Sequence, residues 1–178
     1  MPRYAMIIDV KKCIGCFACQ VACQTQNELP PENALIRFED KEEGKYPNVK
    51  YTVLPVQCQH CQDAPCVPAC PTTASYKHET GVTLVDKNKC MGCRRCIAAC
   101  PYNVRTYIAD EGVVQGCTLC LLTEVAKGHE PVCVQTCLTK ARYFGDLDNP
   151  QGEFAKLLPK ARPLRPDFGS RPTLLYIF

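Results

Sequence analysis

The sixteen cysteines of this 178-residue chain fall in four groups of four, and no cysteine lies outside them. In chain order the groups are Cys13/Cys16/Cys19/Cys23, Cys58/Cys61/Cys66/Cys70, Cys90/Cys93/Cys96/Cys100 and Cys117/Cys120/Cys133/Cys137. Each [4Fe–4S] cubane is held by four cysteine thiolates, so sixteen thiolates supply the ligands of four cubanes. The pattern predicts a chain that holds four [4Fe–4S] clusters and moves electrons between them.

The spacing within the groups supports clusters over other cysteine sites. The first and third groups read C-x2-C-x2-C-x3-C, the run of bacterial two-cluster ferredoxins, in which the fourth cysteine ligates the other cluster. The second group reads C-x2-C-x4-C-x3-C and the fourth C-x2-C-x12-C-x3-C. Alone, the fourth group is also compatible with a four-cysteine zinc ribbon. Zinc sites use C-x2-C pairs rather than 2-2-3 runs, so the other groups favour iron–sulfur clusters.

Two further cysteine-rich classes fit less well. A disulfide scaffold matches the high cysteine content, but disulfide frameworks do not repeat a 2-2-3 spacing, and the start MPRYAMIIDV has no apolar signal region. A zinc-based nucleic-acid module requires basic residues and aromatics clustered on one face. The cysteine loops do not supply them, so no nucleic-acid partner is expected.

Two internal repeats indicate a duplicated two-motif unit. Residues 8–23 align without gaps on residues 85–100, with eight of sixteen positions identical. Residues 66–76 align on residues 133–143, with six of eleven identical, including Thr72 with Thr139. Pro71 and Pro101 follow the second and third groups, whereas the first and fourth lack this proline. This asymmetry favours an inner module from the two middle groups, nested within an outer module from the other two.

Five residues near the cysteines are candidates for tuning the clusters. Gly15 and Gly92 lie inside ligand loops, where the backbone approaches the cluster and positive φ is expected; ordinary turn glycines are the alternative. Arg94 and Arg95 lie in the third loop and raise that cluster's potential if their charges face it. His60 is interpreted as a residue beside a cluster, with a surface turn histidine as the alternative.

The coarse pattern predicts an α+β, loop-rich fold of two nested bacterial-ferredoxin-like modules. Strands are expected at 4–10, 51–56 and 82–85, a hairpin at 104–114, and short helices at 17–25 and 95–99. The outer module comprises residues 1–50 and 105–150, with a charged insertion at 24–50, and the inner module comprises residues 51–104. Residues 151–178 are expected to form a basic, proline-rich extended arm that docks on a partner, with a solvated tail as the alternative.

Composition limits the remaining classes. Hydrophobic residues are 46% of the chain, cysteines included, and tryptophan is absent, so the clusters are expected to serve as part of the core. No stretch reaches the roughly 18 apolar residues of a membrane helix. The sequence has no Rossmann or P-loop glycine motif and only three scattered histidines. It therefore predicts an electron carrier without a catalytic site of its own.

Four segments together resemble the four-cluster iron–sulfur subunits of the dimethyl sulfoxide reductase family, and the short subunits of its polysulfide and thiosulfate reductase branch are the most similar. The segments are DVKKCIGCFACQVAC, QCQHCQDAPCVPACPT, KCMGCRRCIAACPYNVR and GCTLC…CVQTC followed by RYFGDLDNP. The resemblance implies four clusters held by Cys13/Cys16/Cys19/Cys137, Cys23/Cys117/Cys120/Cys133, Cys58/Cys61/Cys66/Cys100 and Cys70/Cys90/Cys93/Cys96.

The resemblance also implies partners. The first of these clusters would lie nearest a molybdopterin (Mo or W) catalytic subunit and the last nearest a quinone-reactive integral-membrane subunit. Association with the membrane through those subunits, and export to the periplasmic side with a signal-bearing partner rather than a cytoplasmic location, are expected. The alternative is a ferredoxin-type subunit or free polyferredoxin that serves a hydrogenase, formate dehydrogenase or carbon monoxide dehydrogenase.

Overall fold

The computed structural model describes all 178 residues, which form short helices and strands joined by long loops. The strands are β1 (Tyr4–Asp9), β2 (Ile36–Lys45), β3 (Asn48–Gln57), β4 (Ser75–Lys77), β5 (Thr83–Val85), β6 (Thr106–Ile108), β7 (Val113–Gln115), β8 (Arg142–Asp146), β9 (Arg162–Pro163) and β10 (Leu174–Ile177). The α-helices are α1 (Ala18–Gln26), α2 (Arg95–Ala98), α3 (Val132–Gln135) and α4 (Gly152–Leu157). No helix is long and apolar enough to cross a membrane.

The largest sheet has four strands in the order β8-β1-β10-β9. Strand β1 lies in its centre, antiparallel to β8 and parallel to β10. Because side chains alternate between the faces of a strand, Met6 and Ile8 pack into the main core, whereas Ala5 and Ile7 pack against Phe154 on the other face. The apolar run that predicted this strand is therefore buried on both faces.

Strands β2 and β3 form a long antiparallel ribbon that pairs Ile36 with Gln57 at its base and Lys45 with Asn48 at its tip. Only the base is buried, at Leu35, Ile36 and Val56, while residues 41–51 are exposed. The region predicted as a charged insertion, residues 24–50, therefore includes β2 and the start of β3. Its charged residues fit the exposure of the ribbon beyond its base.

The predicted short elements are present with small changes in their bounds. The hairpin expected at 104–114 is β6 paired with β7, and the strand expected at 82–85 is β5, paired with β4. The helices expected after the third cysteine of the first and third groups are α1 and α2. Helix α2 has only four residues, so the ligand loop, rather than helix propensity, determines its position.

The prediction of an extended C-terminal arm is wrong. Residues 151–178 form α4, β9 and β10, and β10 is inserted into the main sheet beside β1. Leu174 and Tyr176 are buried because they face the main core, where the Tyr176 hydroxyl donates to the Pro55 carbonyl. Three of the five basic residues of this segment form ion pairs, namely Lys156 with Glu153, Arg165 with Asp167 and Arg171 with Asp63.

The main core contains many of the cysteines. Eight of its twenty-seven buried residues are cysteines, so the same interior region contains both the apolar core and the candidate iron ligands. The conventional core is correspondingly small, and the apolar side chains that remain pack around the cysteine loops.

Candidate iron–sulfur centres

The structure brings the cysteines together in sets that each combine two sequence groups. Three separate cavities are lined by four cysteines each. We name these sets quartet I (Cys13, Cys16, Cys19, Cys137), quartet III (Cys58, Cys61, Cys66, Cys100) and quartet IV (Cys70, Cys90, Cys93, Cys96). In each, three cysteines come from one loop and the fourth from a distant group.

The four remaining cysteines form quartet II: Cys23, Cys117, Cys120 and Cys133. All four are buried, and helices α1 and α3, which carry Cys23 and Cys133, contact each other. Burial, followed by charge repulsion from Cys133 and Cys120, raises the pKa of the Cys23 thiol to about 12. Burial and charge from Cys23 and Cys133 likewise raise the pKa of Cys117 well above its ordinary value. These four thiols are therefore close neighbours.

The thiols do not form a single-metal site. No group of three or more cysteine, histidine, aspartate or glutamate side chains converges on one such site. In a tetrahedral zinc site with bonds of about 2.3 Å, the sulfurs would lie about 3.8 Å apart, whereas a cubane holds its thiolates farther apart around four irons. The arrangement suits a cluster at each quartet.

The quartets differ in their access to solvent. Cys16 of quartet I and Cys93 of quartet IV are the exposed cysteines, whereas every cysteine of quartet II is buried. In quartet III three cysteines are buried and Cys100 is intermediate. Quartets I and IV therefore reach the surface, and quartets II and III are enclosed.

Backbone and hydroxyl donors approach two equivalent cysteines. The Ser75 amide lies 3.4 Å from Cys70 Sγ, and the Ala141 amide lies 3.2 Å from Cys137 Sγ. A threonine hydroxyl lies beside each sulfur, Thr72 at 3.7 Å and Thr139 at 3.8 Å. Against the effect of burial, these donors lower the pKa of both thiols. The second sequence repeat thus corresponds to a repeated contact to sulfur, which stabilises the thiolate.

The two ligand-loop glycines have the backbone conformation that glycine favours. Gly15 has φ +65° and Gly92 has φ +68°. A Cβ on Gly15 would lie 3.1 Å from Val53 Cγ2, and one on Gly92 would overlap the Gly112 carbonyl oxygen. The ribbon therefore packs closely against the first loop, and the β6–β7 hairpin packs closely against the third.

The other three candidate residues have different environments. Arg94 and Arg95 are exposed, and the Arg94 guanidinium stacks 3.8 Å from the centre of the Tyr107 ring. His60 is 1% exposed, so the alternative of a surface histidine is excluded. Its Nδ1 accepts the Thr83 amide at 3.2 Å, and burial, then the positive charges of Lys77 and Arg105, lower its pKa to about 3. His60 is therefore neutral.

Several residues near the quartets were not identified from the sequence as site residues. The Ser170 hydroxyl lies beside Cys61, and the buried guanidinium groups of Arg105 and Arg142 line the quartet III and quartet I cavities. The signal for the arginines is their common offset, five residues after Cys100 and Cys137. For Ser170 the sequence gives no signal, because it belongs to no motif.

Sixteen cysteines arranged in four quartets are the ligand set of an iron–sulfur electron-transfer protein. The chain matches a family described as "4Fe-4S dicluster domain" over residues 49–147, and a second family of the same description over residues 12–74. The two matches overlap in the second cysteine group. They support four [4Fe–4S] clusters in this chain.

Curated relatives extend the match over most of the chain. The thiosulfate reductase electron transfer subunit PhsB of Salmonella typhi is 43% identical over 148 residues, covering 82% of this chain and 77% of that protein. The arsenate respiratory reductase iron-sulfur subunit ArrB of Shewanella sp. is 33% identical over 225 residues, covering 98% and 96%. A Halobacterium salinarum protein, named as an iron-sulfur subunit of dimethyl sulfoxide reductase, is 35% identical over 209 residues, covering 99% and 79%. The chain belongs to the electron-transfer iron–sulfur subunits of the dimethyl sulfoxide reductase family.

Proposed function

We propose that this chain relays electrons between a molybdopterin catalytic subunit and a quinone-reactive membrane subunit, with one [4Fe–4S] cluster in each quartet and transfer in the order I–II–III–IV. The relationship to thiosulfate and arsenate reductase subunits supports a role in a reductase complex. The arrangement of the quartets supports the ligand assignment and the order.

The ligand assignment is supported by three cavities that are lined by complete quartets. Each cavity joins cysteines that are distant in sequence, such as Cys19 with Cys137 and Cys66 with Cys100. A cubane in such a cavity would cross-link the two loops that supply its thiolates. This is the exchange of fourth cysteines that the 2-2-3 run produces in two-cluster ferredoxins.

The observation that carries the proposed order is the exposure of only the two terminal quartets. An electron carrier between two partners needs one cluster near each docking surface, and the clusters between them can be enclosed. Burial and solvent exposure also influence the potential of each cluster. Thiols of successive quartets are also close enough to influence each other's pKa. Besides burial, thiolate charge from Cys19 raises the pKa of Cys133, charge from Cys58 raises that of Cys117, and charge from Cys66 raises that of Cys96.

Exposed apolar residues adjoin both ends of this series. Ile14 and Leu138, next to ligands of quartet I, are 65% and 74% exposed. Met91, next to ligands of quartet IV, is 65% exposed. Apolar side chains around an exposed cluster suit a protein interface. We assign the quartet I end to the catalytic subunit and the quartet IV end to the membrane subunit, following the resemblance in the cysteine motifs.

The proposed modules follow the quartets. Quartets I and II combine the first and fourth groups, and quartets III and IV combine the second and third, so the inner ferredoxin-like module (51–104) is nested within the outer one (1–50 and 105–150) in an α+β fold. Strand β10 pairs with β1, which supports adding residues 151–178 to the outer module. Location at the membrane through partner subunits, on the periplasmic side, belongs to the same proposal.

Metal and subunit analysis of the native complex tests the function. The protein purified without oxygen should contain about sixteen iron and sixteen sulfide per chain, four of each per cluster, with molybdenum or tungsten in a larger second chain. The same iron content without that metal would instead favour a subunit of a hydrogenase or a carbon monoxide dehydrogenase, or a free polyferredoxin. Zinc without sulfide would contradict both functions.

A further inference from the structure

Two arginines lie in the protein interior without a carboxylate partner. Arg105 is 2% exposed and Arg142 is 3% exposed, and neither takes part in any of the ion pairs of the structure. A buried cation is costly unless an anion lies close to it. The buried groups that become anionic in this protein are the cysteine thiolates and the clusters that they hold.

Arg142 lies between quartets I and II. It lines the quartet I cavity, and its Nη1 donates to Gln57 Oε1 at 2.6 Å, while its Nη2 is buried without a hydrogen-bond partner. Gln57 Nε2 in turn donates to Cys117 Sγ of quartet II at 3.6 Å. Burial raises the pKa of Cys19 in quartet I and of Cys133 in quartet II, and the Arg142 charge opposes this rise for both thiols. One guanidinium therefore faces thiols of two quartets.

Arg105 has the same relationship to quartets III and IV. It lines the quartet III cavity, and its Nη1 is buried without a hydrogen-bond partner. Its guanidinium also lies beside the Cys96 side chain of quartet IV. Burial raises the pKa of Cys66 in quartet III and of Cys96 in quartet IV, and the Arg105 charge opposes this rise for both thiols. The two arginines also share an offset, since each lies five residues after the last cysteine of its group.

We propose that Arg105 and Arg142 are internal counter-cations, each shared by two adjacent clusters, that raise the reduction potentials of both clusters in their pair. This inference rests on the proposed ligand quartets. A cubane with four thiolates carries about −2 when oxidised, and reduction adds another negative charge. A fixed cation lowers the free energy of the more negative state, and burial leaves this attraction largely unscreened by salt. The sulfur atoms of the quartets are the remaining acceptors for the arginine nitrogen atoms that have no partner.

An electron paramagnetic resonance titration of the native complex tests this role. Arg142→Gln and Arg105→Gln each remove one buried charge, and Lys140→Gln removes an exposed charge near the quartet I loop as a control. Arg142→Gln should lower two of the four midpoint potentials. We expect the reduction equilibrium constant of each of these two clusters to fall at least tenfold, which corresponds to 59 mV for one electron. Arg105→Gln should lower the other two, and Lys140→Gln should leave all four within a few mV of the wild type.

Lysine variants separate charge from packing. Arg142→Lys and Arg105→Lys keep the positive charge and should restore most of each shift. The iron and sulfide content, measured first, tests the quartets independently of the potentials. Should a glutamine variant lose iron, the Arg→Met variant of the same position replaces it. Unchanged potentials in variants that keep sixteen irons, shifts of the same two clusters by both substitutions, or equal shifts in the lysine and glutamine variants would each overturn the proposal.

Discussion

The hydroxyl oxygen of Ser170 lies 3.3 Å from the sulfur of Cys61, although the two residues are 109 positions apart in the sequence. Tyr102 extends the contact, since its hydroxyl oxygen lies 3.1 Å from that of Ser170. This chain of hydroxyl groups places the C-terminal segment against quartet III. A thiolate at Cys61 would accept a hydrogen bond from the Ser170 hydroxyl. Such hydrogen bonds to cluster sulfur raise the reduction potential.

Removing the Ser170 hydroxyl should lower the potential of one cluster. A hydrogen bond contributes about 1 kcal/mol, so we expect Ser170→Ala to shift one of the four midpoint potentials by roughly −40 mV. Ser170→Thr keeps the hydroxyl and is the matched control. Potentiometric titration followed by electron paramagnetic resonance measures both variants, and an unshifted set of four potentials in the alanine variant would show that the contact does not reach the cluster.

Replacing Cys137 tests the nested assignment of the ligands. Cys137→Ser should damage the cluster held by Cys13, Cys16 and Cys19, because Cys137 lines their cavity. The spectra of the clusters in quartets III and IV should be unchanged. Iron analysis and low-temperature electron paramagnetic resonance distinguish the outcomes; loss of a cluster of the inner module would indicate that the fourth group exchanges ligands with the third group rather than with the first.

Removal of iron should unfold the chain. Eight of the twenty-seven residues of the main core are cysteines, and a cluster that cross-links two loops contributes its binding free energy to folding. We expect a chelator under reducing conditions to abolish the far-ultraviolet circular dichroism signal in one cooperative step. A chain without iron that stays soluble and shows a separate thermal transition would contradict this prediction.

The substitution Leu174→Ala should destabilise the protein. Leu174 is 1% exposed in β10, and Leu→Ala substitutions in a core cost about 2–5 kcal/mol. Leu122, which is 68% exposed, provides a control of the same residue type, with an expected change of less than about 0.5 kcal/mol. The two variants are compared by thermal denaturation without oxygen, and equal unfolding temperatures would argue against a structural role for β10.

The packing of Gly92 against the β6–β7 hairpin predicts a steric effect of substitution. Gly92→Ala would bring its Cβ into the Gly112 carbonyl oxygen, in addition to the cost of positive φ, which is about 1–2 kcal/mol for a non-glycine residue. Gly128 has φ +83° with open space around it, so Gly128→Ala isolates the backbone cost. We expect Gly92→Ala alone to reduce the iron content of the purified protein.

The sequence predicted the parts of the fold that depend on local spacing. The cysteine groups, the helices α1 and α2 at the first and third ligand loops and the β6–β7 hairpin follow from short motifs, and the offset of Thr72 and Thr139 was visible as a repeat. The C-terminal strand was missed because the four prolines and five basic residues of 151–178 are typical of an exposed tail, while the burial of Leu174 and Tyr176 depends on pairing with the distant strand β1.

The site was predicted to a similar extent. The types of ligand and their number follow from composition, whereas the contacts of Ser170, Arg105 and Arg142 depend on how distant loops meet. Arg94 was singled out because of its position inside the ligand loop, and it lines the quartet IV cavity while its guanidinium stacks on Tyr107.

The parallel pairing of β1 with β10 has a consequence for folding during synthesis. Residues 4–9 are synthesised well before residues 174–177, yet these later residues form the neighbouring strand on one side of β1. The nascent chain therefore cannot complete its main sheet until residues 174–177 have been synthesised. All sixteen cysteines precede β10 in the sequence, so the ligands of every quartet are synthesised before the main sheet can be completed.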